Sequence, residues 1–541
     1  MATVAETDTE RDLPGTIRLI TEDEDIKLVP EPTVSPNDPL NWSPLRKAWH
    51  ASLVLYITAF TAATSNDSGA GGEAMVKNLG ISYGVQNTGA GVLFIAIGYW
   101  TLLGSPLTTL YGRRIMYLLC LIWSFIGAIW YANIETKQDA IWNQLFVGAS
   151  ESCAEAVAQL SLSELFYQHQ RGTVLGLYIL ATSIGTFLGP LVAGYIAATA
   201  WRWIGWATGI ITGITFIVFY FGLEETVFDR TVLVGTQTNT HHRAIDSSEK
   251  VTDPETSHLP VELHPAPEAS TNNRLESALE ARDRPRTYLE RIRPITPASN
   301  LIGTGFKQYL TRLWHTIKLF YFPAVVFAGL QWGAQDAWLS FYLTVEEDNW
   351  YDAPWYYTDA EVAIMNIPTL IGAVIGCVYG GWYSDRFVRW MAKRRGGVSE
   401  AEDRLWLLLP SGLVNPAGLM LFGITSAKGY SWPLPYVGLG FIGFGWGCAG
   451  DLGMAYLMDA YPEMVLEGMV GVAVINNSLA CVFTFCVSLW IDASGLQNTF
   501  IAIGVLSFAI HLLTFPMIYW GKKSRRWTKE AYREFLYIRD G

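Results

Sequence analysis

The chain has 541 residues, of which 50% are hydrophobic and only 16% are charged, whereas soluble globular proteins carry about 25% charged residues. This composition argues against an ordinary soluble enzyme and for a protein embedded in a lipid bilayer. The formal net charge of −12 argues against nucleic acid as a partner, because phosphate binding requires a clustered basic face.

Apolar runs long enough to cross a bilayer occur in two groups of six. The first group covers residues 48–68, 87–107, 114–132, 140–163, 174–197 and 201–223. The second group covers residues 317–343, 360–384, 405–425, 434–458, 469–490 and 498–520. The sequence therefore predicts an all-α polytopic membrane protein with twelve transmembrane helices, in which residues 48–223 and 317–520 form two six-helix bundles.

The remaining segments are polar. We predict an acidic, disordered tail at 1–47, a mostly disordered central loop at 224–316, and a basic tail at 521–541. When both termini are placed in the cytosol, every Lys and Arg lies on the cytosolic side except Lys77, Lys137, Arg202 and Lys428. Because basic loops resist translocation, we predict that both termini are cytosolic. We also predict that this multi-pass protein lies in the plasma membrane.

The fifth span contains closely spaced glycines and a proline: Gly185, Gly189, Pro190 and Gly194. Glycines at this spacing allow a neighbouring helix to approach closely. The proline removes one backbone hydrogen bond, so that the helix can bend there. The combination favours a helix that packs tightly and moves between two arrangements.

Further motifs occur outside the spans, at 37–42, 164–172, 224–226 and 521–526. Together with the fifth span they resemble the fungal members of the twelve-span drug:proton antiporter group of the major facilitator superfamily. The resemblance covers about 37–230 and 314–527. It implies the major facilitator fold, transport by alternating access, a monomer, and a proton gradient in place of any cofactor.

The loop after the second span resembles the conserved loop motif of that superfamily at Gly112, Arg113 and Arg114. It departs at Thr109, where the family usually has Asp. The loop after the eighth span carries Asp385 and Arg386 at the corresponding place, which indicates an internal repeat. In the family such loops latch the two halves together, so the resemblance implies a weaker latch in the first copy.

Acidic residues inside the spans are the strongest functional signal, because an ionised carboxylate in hydrocarbon costs several kcal/mol. Glu151 and Glu155 lie one turn apart in the fourth span, which contains no Lys or Arg. Burial and mutual repulsion favour proton uptake by at least one of them. We predict that this pair couples transport to protons.

The seventh span places Trp332 one turn before Asp336, a pairing that suits an organic cation through charge and cation–π contact. We predict a substrate site formed by Asp336, Trp332, Tyr56, Trp338, Trp446, Asp451, Asn476 and Asn477. No metal site is expected, because neither the cysteines nor the histidines have ligand spacing.

These residues predict a proton-coupled exporter of small organic molecules such as a drug, a toxin or a secondary metabolite. An importer of a cationic nutrient such as a polyamine is the alternative, because the same acidic spans suit uptake. A membrane sensor that signals through the central loop is a second alternative. An enzyme is not expected, since no motif for nucleophilic, zinc-dependent or phosphate chemistry occurs in a suitable context.

Overall fold

The computed structural model describes residues 13–19, 28–228, 284–350 and 353–540. Twelve long helices, some built from consecutive segments, occupy the positions of the predicted spans. Those of the first half are α1 (Pro44–Asn66), α2 (Tyr83–Tyr111), α3 (Arg114–Ala132), α4 (Lys137–Ser152, Cys153–Val157 and Ala158–Leu165), α5 (Arg171–Ala200) and α6 (Arg202–Gly222). Those of the second half are α7 (Pro323–Asn349), α8 (Asn366–Val378, Tyr379–Tyr383 and Ser384–Arg394), α9 (Ala401–Leu407 and Leu408–Ala427), α10 (Leu434–Ala460), α11 (Val465–Ser494) and α12 (Leu496–Leu512 and Thr514–Asp540).

Eight helices in the described part of the chain are each long and apolar enough to cross a membrane, and a bent pair leading into α7 makes a ninth. The others, α1, α4 and α10, carry more polar or small side chains, such as Glu151 and Glu155 in α4. These polar side chains lower the mean hydropathy of the three helices. A membrane helix can carry them where it faces other helices rather than lipid. The fold is therefore the predicted one, with spans that differ in polarity according to what they face.

The helices pack as two bundles that meet along a central plane. Within the first bundle α1 packs on α5 and α4 on α2, and within the second α7 packs on α11 and α8 on α10. The two halves contact each other through α2 with α11 and through α5 with α8 and α10. We call the end of the molecule that carries Arg46, Arg171, Arg404 and Arg525 the terminal face.

Part of the predicted disordered N-terminal tail is ordered on this terminal face. Strand β1 (Thr16–Arg18) pairs antiparallel with β2 (Val398–Glu400), in the loop between α8 and α9. The Arg525 guanidinium in α12 binds Glu400 and Glu402 and also donates to the Pro14 carbonyl. These contacts correct the expectation of disorder for residues 13–19, because cross-strand bonds and an ion-pair cluster offset the entropy of ordering the tail. Residues 1–12 and 20–27 of the predicted tail lie outside the described residues.

The end of the predicted central loop is also ordered, while its middle, 229–283, lies outside the described residues. A helix over Phe306–Ile317 precedes α7 and meets it at a bend of 80°. Arg312 on this linker helix donates to the Thr109 hydroxyl at 2.9 Å and to the Arg539 carbonyl at 2.8 Å. The expectation of disorder therefore does not hold for 284–316, where side-chain contacts anchor the segment to both halves. The predicted basic tail is likewise helical, as the continuation of α12 to Asp540.

Candidate functional site

The acidic pair of α4 lies at a local change of helix type. Glu151 belongs to the α-helical segment, whereas Glu155 lies inside a π-helical turn, Cys153–Val157. A π turn adds one residue to the helical repeat, so the two carboxyls are not stacked as the simple one-turn spacing predicts. Both side chains are half-buried. The π turn thus gives each carboxyl its own direction.

A third carboxyl joins this pair from the other half of the molecule. Asp336 in α7 interacts electrostatically with Glu151 and Glu155 across the central plane. The amide of Asn476 in α11 lies beside Asp336, and the hydroxyl of Ser65 in α1 lies beside Glu151. We call Glu151, Glu155 and Asp336 the acidic triad.

No basic side chain of the described chain interacts with the acidic triad, whose partners are polar or acidic. Three carboxyls that share a site of low dielectric repel one another when ionised. The site therefore needs positive charge, which protons or a cationic ligand can supply.

An aromatic cluster lies one turn from Asp336. The ring of Trp332 is 4.6 Å from that of Trp446 in α10, which is 6.0 Å from Phe187 in α5. A Cβ atom built on Gly450 would come within 2.3 Å of Trp332, so a glycine is required opposite this ring. Trp332 is only 4% exposed, so a ligand reaches the predicted cation–π face only if the side chains packed on this ring move.

The structure does not bring four of the predicted substrate residues to the acidic triad. Tyr56 is exposed and its hydroxyl lies 3.0 Å from the Thr215 hydroxyl of α6, which places it on another face of α1. Trp338 is buried against Phe483 of α11. In these two cases the aromatic side chain serves helix packing.

The other two of these four residues, Asn477 and Asp451, also lie away from the acidic triad. Asn477 donates to the Ala473 carbonyl at 2.9 Å and packs beside Gly98, where α11 meets α2. Asp451 lies eight residues from Asp459 of the terminal face, about 12 Å along the helix axis. It is enclosed by glycines of α5 and α8. Helical spacing places a residue on a face, but it does not tell which neighbour covers that face.

An ion-pair network joins the two halves at the terminal face. The Asp385 carboxylate accepts hydrogen bonds from the backbone N–H groups of Gly172 and Thr173, at 3.1 and 2.7 Å, and from the Thr173 hydroxyl. It thereby caps the N-terminus of α5, where the helix dipole favours a negative charge. Arg404 binds Asp385 at 2.9 Å and Asp459 at 2.6 Å. We call Arg171, Asp385, Arg404 and Asp459 the gate network.

Two members of the gate network come from opposite halves. Arg171 of α5 donates to the Met458 carbonyl at 3.0 Å and lies 3.8 Å from Asp459. Arg386, the arginine of the second copy of the loop motif, is exposed and stacks on Trp382 at 3.7 Å. Arg404, from the first segment of α9, is the cation that pairs with Asp385.

The first copy of the loop motif acts within its own half. Gly112 has φ +105°, which favours glycine, and a Cβ there would meet the Glu225 carboxylate at 2.4 Å. Glu225 accepts from the backbone N–H groups of Arg113 and Arg114 at 3.1 Å each, and Arg113 also binds Glu164 at 2.7 Å. These contacts of Gly112, Arg113 and Arg114 lie within the first half, so a role in latching the two halves stays a prediction. The consequence of Thr109 for latch strength stays a prediction.

The glycines of α5 mark a close contact with α1. A Cβ on Gly185 would lie 2.1 Å from the Ala59 carbonyl oxygen, and one on Gly189 would lie 2.7 Å from the Ala63 Cα. The helix continues through Pro190. No atom of a neighbouring helix in the described chain lies within 4 Å of a Cβ built on Gly194, so Gly194 makes no close helix contact in this structure.

Sequence reasoning missed Ser65, Arg404 and Asp459 as site residues. Ser65 had a signal, because hydroxyl residues recur at Thr58, Thr61 and Thr64 on the buried side of α1. Arg404 and Asp459 had none, since their charged partners Asp385 and Arg171 and each other are distant in sequence and both residues lie outside the apolar cores of the spans.

Comparisons with known proteins agree with this architecture. The family model described as Major Facilitator Superfamily matches residues 52–485. An uncharacterized MFS-type transporter of Schizosaccharomyces pombe is 49% identical over 98% of this chain and 95% of its own. Protein HOL1 of Saccharomyces cerevisiae is 48% identical over 95% of this chain and 93% of its own.

More distant matches include the MFS antiporter QDR3 of Candida albicans, which is 22% identical over 78% of this chain and 70% of its own. Among solved structures, the human organic anion transporter MFSD10 covers 90% of this chain and 100% of its own with 15% identity and a TM-score of 0.49.

Proposed function

Because the chain belongs to the Major Facilitator Superfamily, we propose that this membrane transporter moves small organic cations in exchange for protons. The acidic triad carries this proposal: three carboxyls from both halves meet without a basic partner in the described chain. The triad binds cargo when ionised and protons when empty, so the two compete for one site.

We further propose export, with the terminal face in the cytosol and the protein in the plasma membrane. The asymmetry of Lys and Arg supports this orientation. The antiporter among the distant relatives supports exchange. Uptake of a cationic nutrient such as a polyamine is the second candidate, since the acidic triad serves either direction.

Purified protein in sealed lipid vesicles tests both proposals. We expect radiolabelled spermidine or a cationic dye such as ethidium to accumulate when the lumen is acidic, and an organic anion such as fluorescein to stay out. Accumulation of the cations under an acidic exterior instead would establish cotransport and hence the uptake candidate. Cation flux that ignores both gradients would overturn proton coupling.

Asp336→Asn provides the matched test of cargo binding. Asn keeps the size of the side chain but removes its charge, and a hydrogen bond to a charged group contributes about 1.5–3 kcal/mol. We expect the affinity for the cationic cargo to fall by about tenfold to 100-fold, as measured by equilibrium binding of labelled spermidine or ethidium. The exposed Asp492→Asn serves as the control, and equal affinities in the two variants would contradict a role for Asp336.

A further inference from the structure

One buried acid is not used by the acidic triad or by the gate network. Asp451 of α10 is fully buried, and neither of its carboxyl oxygens has a hydrogen-bond partner in the described chain. A Cβ built on Gly176 of α5 would lie 3.0 Å from its Oδ2, and one on Gly381 of α8 would lie 3.1 Å away. Backbone from both halves therefore closes tightly around this carboxyl.

The charged and titratable groups that face Asp451 come from three elements. Cys377 and Asp385 belong to α8, Arg404 to the first segment of α9, and Cys448 to α10 itself. From α5, the Gly176 backbone lies against this carboxyl. Arg404 is therefore the one cation of this set that can balance a charge on Asp451.

Arg404 already forms ion pairs with two other carboxylates. It binds Asp385 at 2.9 Å and Asp459 at 2.6 Å, and Arg171 lies 3.8 Å from Asp459. The gate network thus holds two cations and two anions. An ionised Asp451 would add an unpaired charge to a closed, apolar contact, which is strongly unfavourable.

We propose that Asp451 is a second proton-binding site, which holds a proton while the terminal face is closed and releases it when the halves part. Separation of α5 from α8 and α10 removes Gly176 from the carboxyl and lets water in from the terminal face. The proton then passes from the carboxyl oxygen to that water, and closure requires its return. This inference rests on the proposed function only for the direction in which the released proton travels.

The position of the gate as a function of pH tests this inference without cargo or gradient. Spin labels on cysteines introduced at Gln170 and Trp390, exposed residues of opposite halves, report opening of the terminal face by the distance between the labels. Cys486 is replaced by Ser, because it is exposed whereas the other five cysteines are buried. The full chain is measured in detergent from about pH 5 to about pH 8.

As the pH rises, we expect the ratio of closed to open wild-type molecules to fall by up to about tenfold per pH unit, because closure binds one proton. In Asp451→Asn and in Asp451→Ala the closed population should stay high and the pH response should be lost. Asp492→Asn, an exposed acid of α11, should respond as the wild type does.

A wild-type gate that does not respond to pH, or an undiminished response in both Asp451 variants, would overturn the inference. Measuring flux in vesicles distinguishes failure of this inference from failure of the proposed function. Gradient-driven flux with a pH-insensitive gate would reject only the Asp451 site. A pH-sensitive gate that depends on Asp451, in a protein without gradient-driven flux, would support the site and reject the transport proposal.

Discussion

Glu155→Gln is expected to uncouple cation accumulation from the proton gradient. The substitution keeps the shape of the side chain in the π turn of α4 but removes its capacity to bind and release a proton. A gradient of two pH units stores about 2.7 kcal/mol for each coupled proton, which corresponds to roughly 100-fold accumulation of cargo. We therefore expect accumulation to fall by about 100-fold for each coupling proton that is lost.

The measurement is steady-state accumulation of labelled cation in vesicles whose membrane potential is clamped, since the cargo itself is charged. Exchange of labelled for unlabelled cargo, which needs no net proton movement, should persist in the variant. Glu135→Gln, at an exposed position of the loop before α4, should behave as the wild type does. Accumulation by Glu155→Gln equal to that of the wild type would show that this carboxyl is not the coupling group.

Arg404→Leu is expected to open the terminal face. Arg404 is 2% exposed and binds both Asp385 and Asp459, so its loss leaves the buried Asp385 without its cation and Asp459 with only Arg171, at 3.8 Å. Removing one partner of a buried ion pair costs about 3–5 kcal/mol, and opening relieves this cost by admitting water. The ratio of open to closed molecules should therefore rise by at least about 100-fold.

The distance between spin labels at Gln170 and Trp390 measures this shift directly. Arg386→Leu is the matched control, because Arg386 is exposed and stacks only on Trp382 among the contacts described above. Arg404→Lys should recover part of the closed population, since it restores the charge but not the two-pronged geometry. An unchanged distance in Arg404→Leu would contradict the assignment of the gate network.

The sequence was sufficient for the fold because membrane helices carry a strong local signal. About 20 apolar residues must follow one another to cross a bilayer, and all twelve such runs correspond to helices here. The ordered tail strand had no comparable signal, since Thr16–Arg18 is three residues long and pairs with a segment more than 380 positions away. The linker helix Phe306–Ile317 was missed because its polar flanks and prolines resemble a disordered loop.

The residues of the candidate site also fall into those that the sequence could predict and those that it could not. Glu151, Glu155 and Asp336 could be found from sequence, because acids are rare in hydrocarbon and their cost marks them. The structure places Tyr56 and Trp338 in contacts between helices. Aromatic residues at helical spacing serve packing more often than binding, so their role in substrate binding stays a prediction. The partners of Asp451 depend on how closely the glycines of α5 and α8 approach, which follows from three-dimensional packing and not from spacing along one helix.

Proton release on cargo binding tests the central claim most directly. Purified protein in weakly buffered detergent solution is mixed with spermidine or ethidium while a pH indicator follows the solution. If cargo and protons compete for the acidic triad, binding should release protons from the wild type and fewer from Glu155→Gln. Binding of the cation without any release of protons, over the pH range in which transport depends on the gradient, would contradict the account.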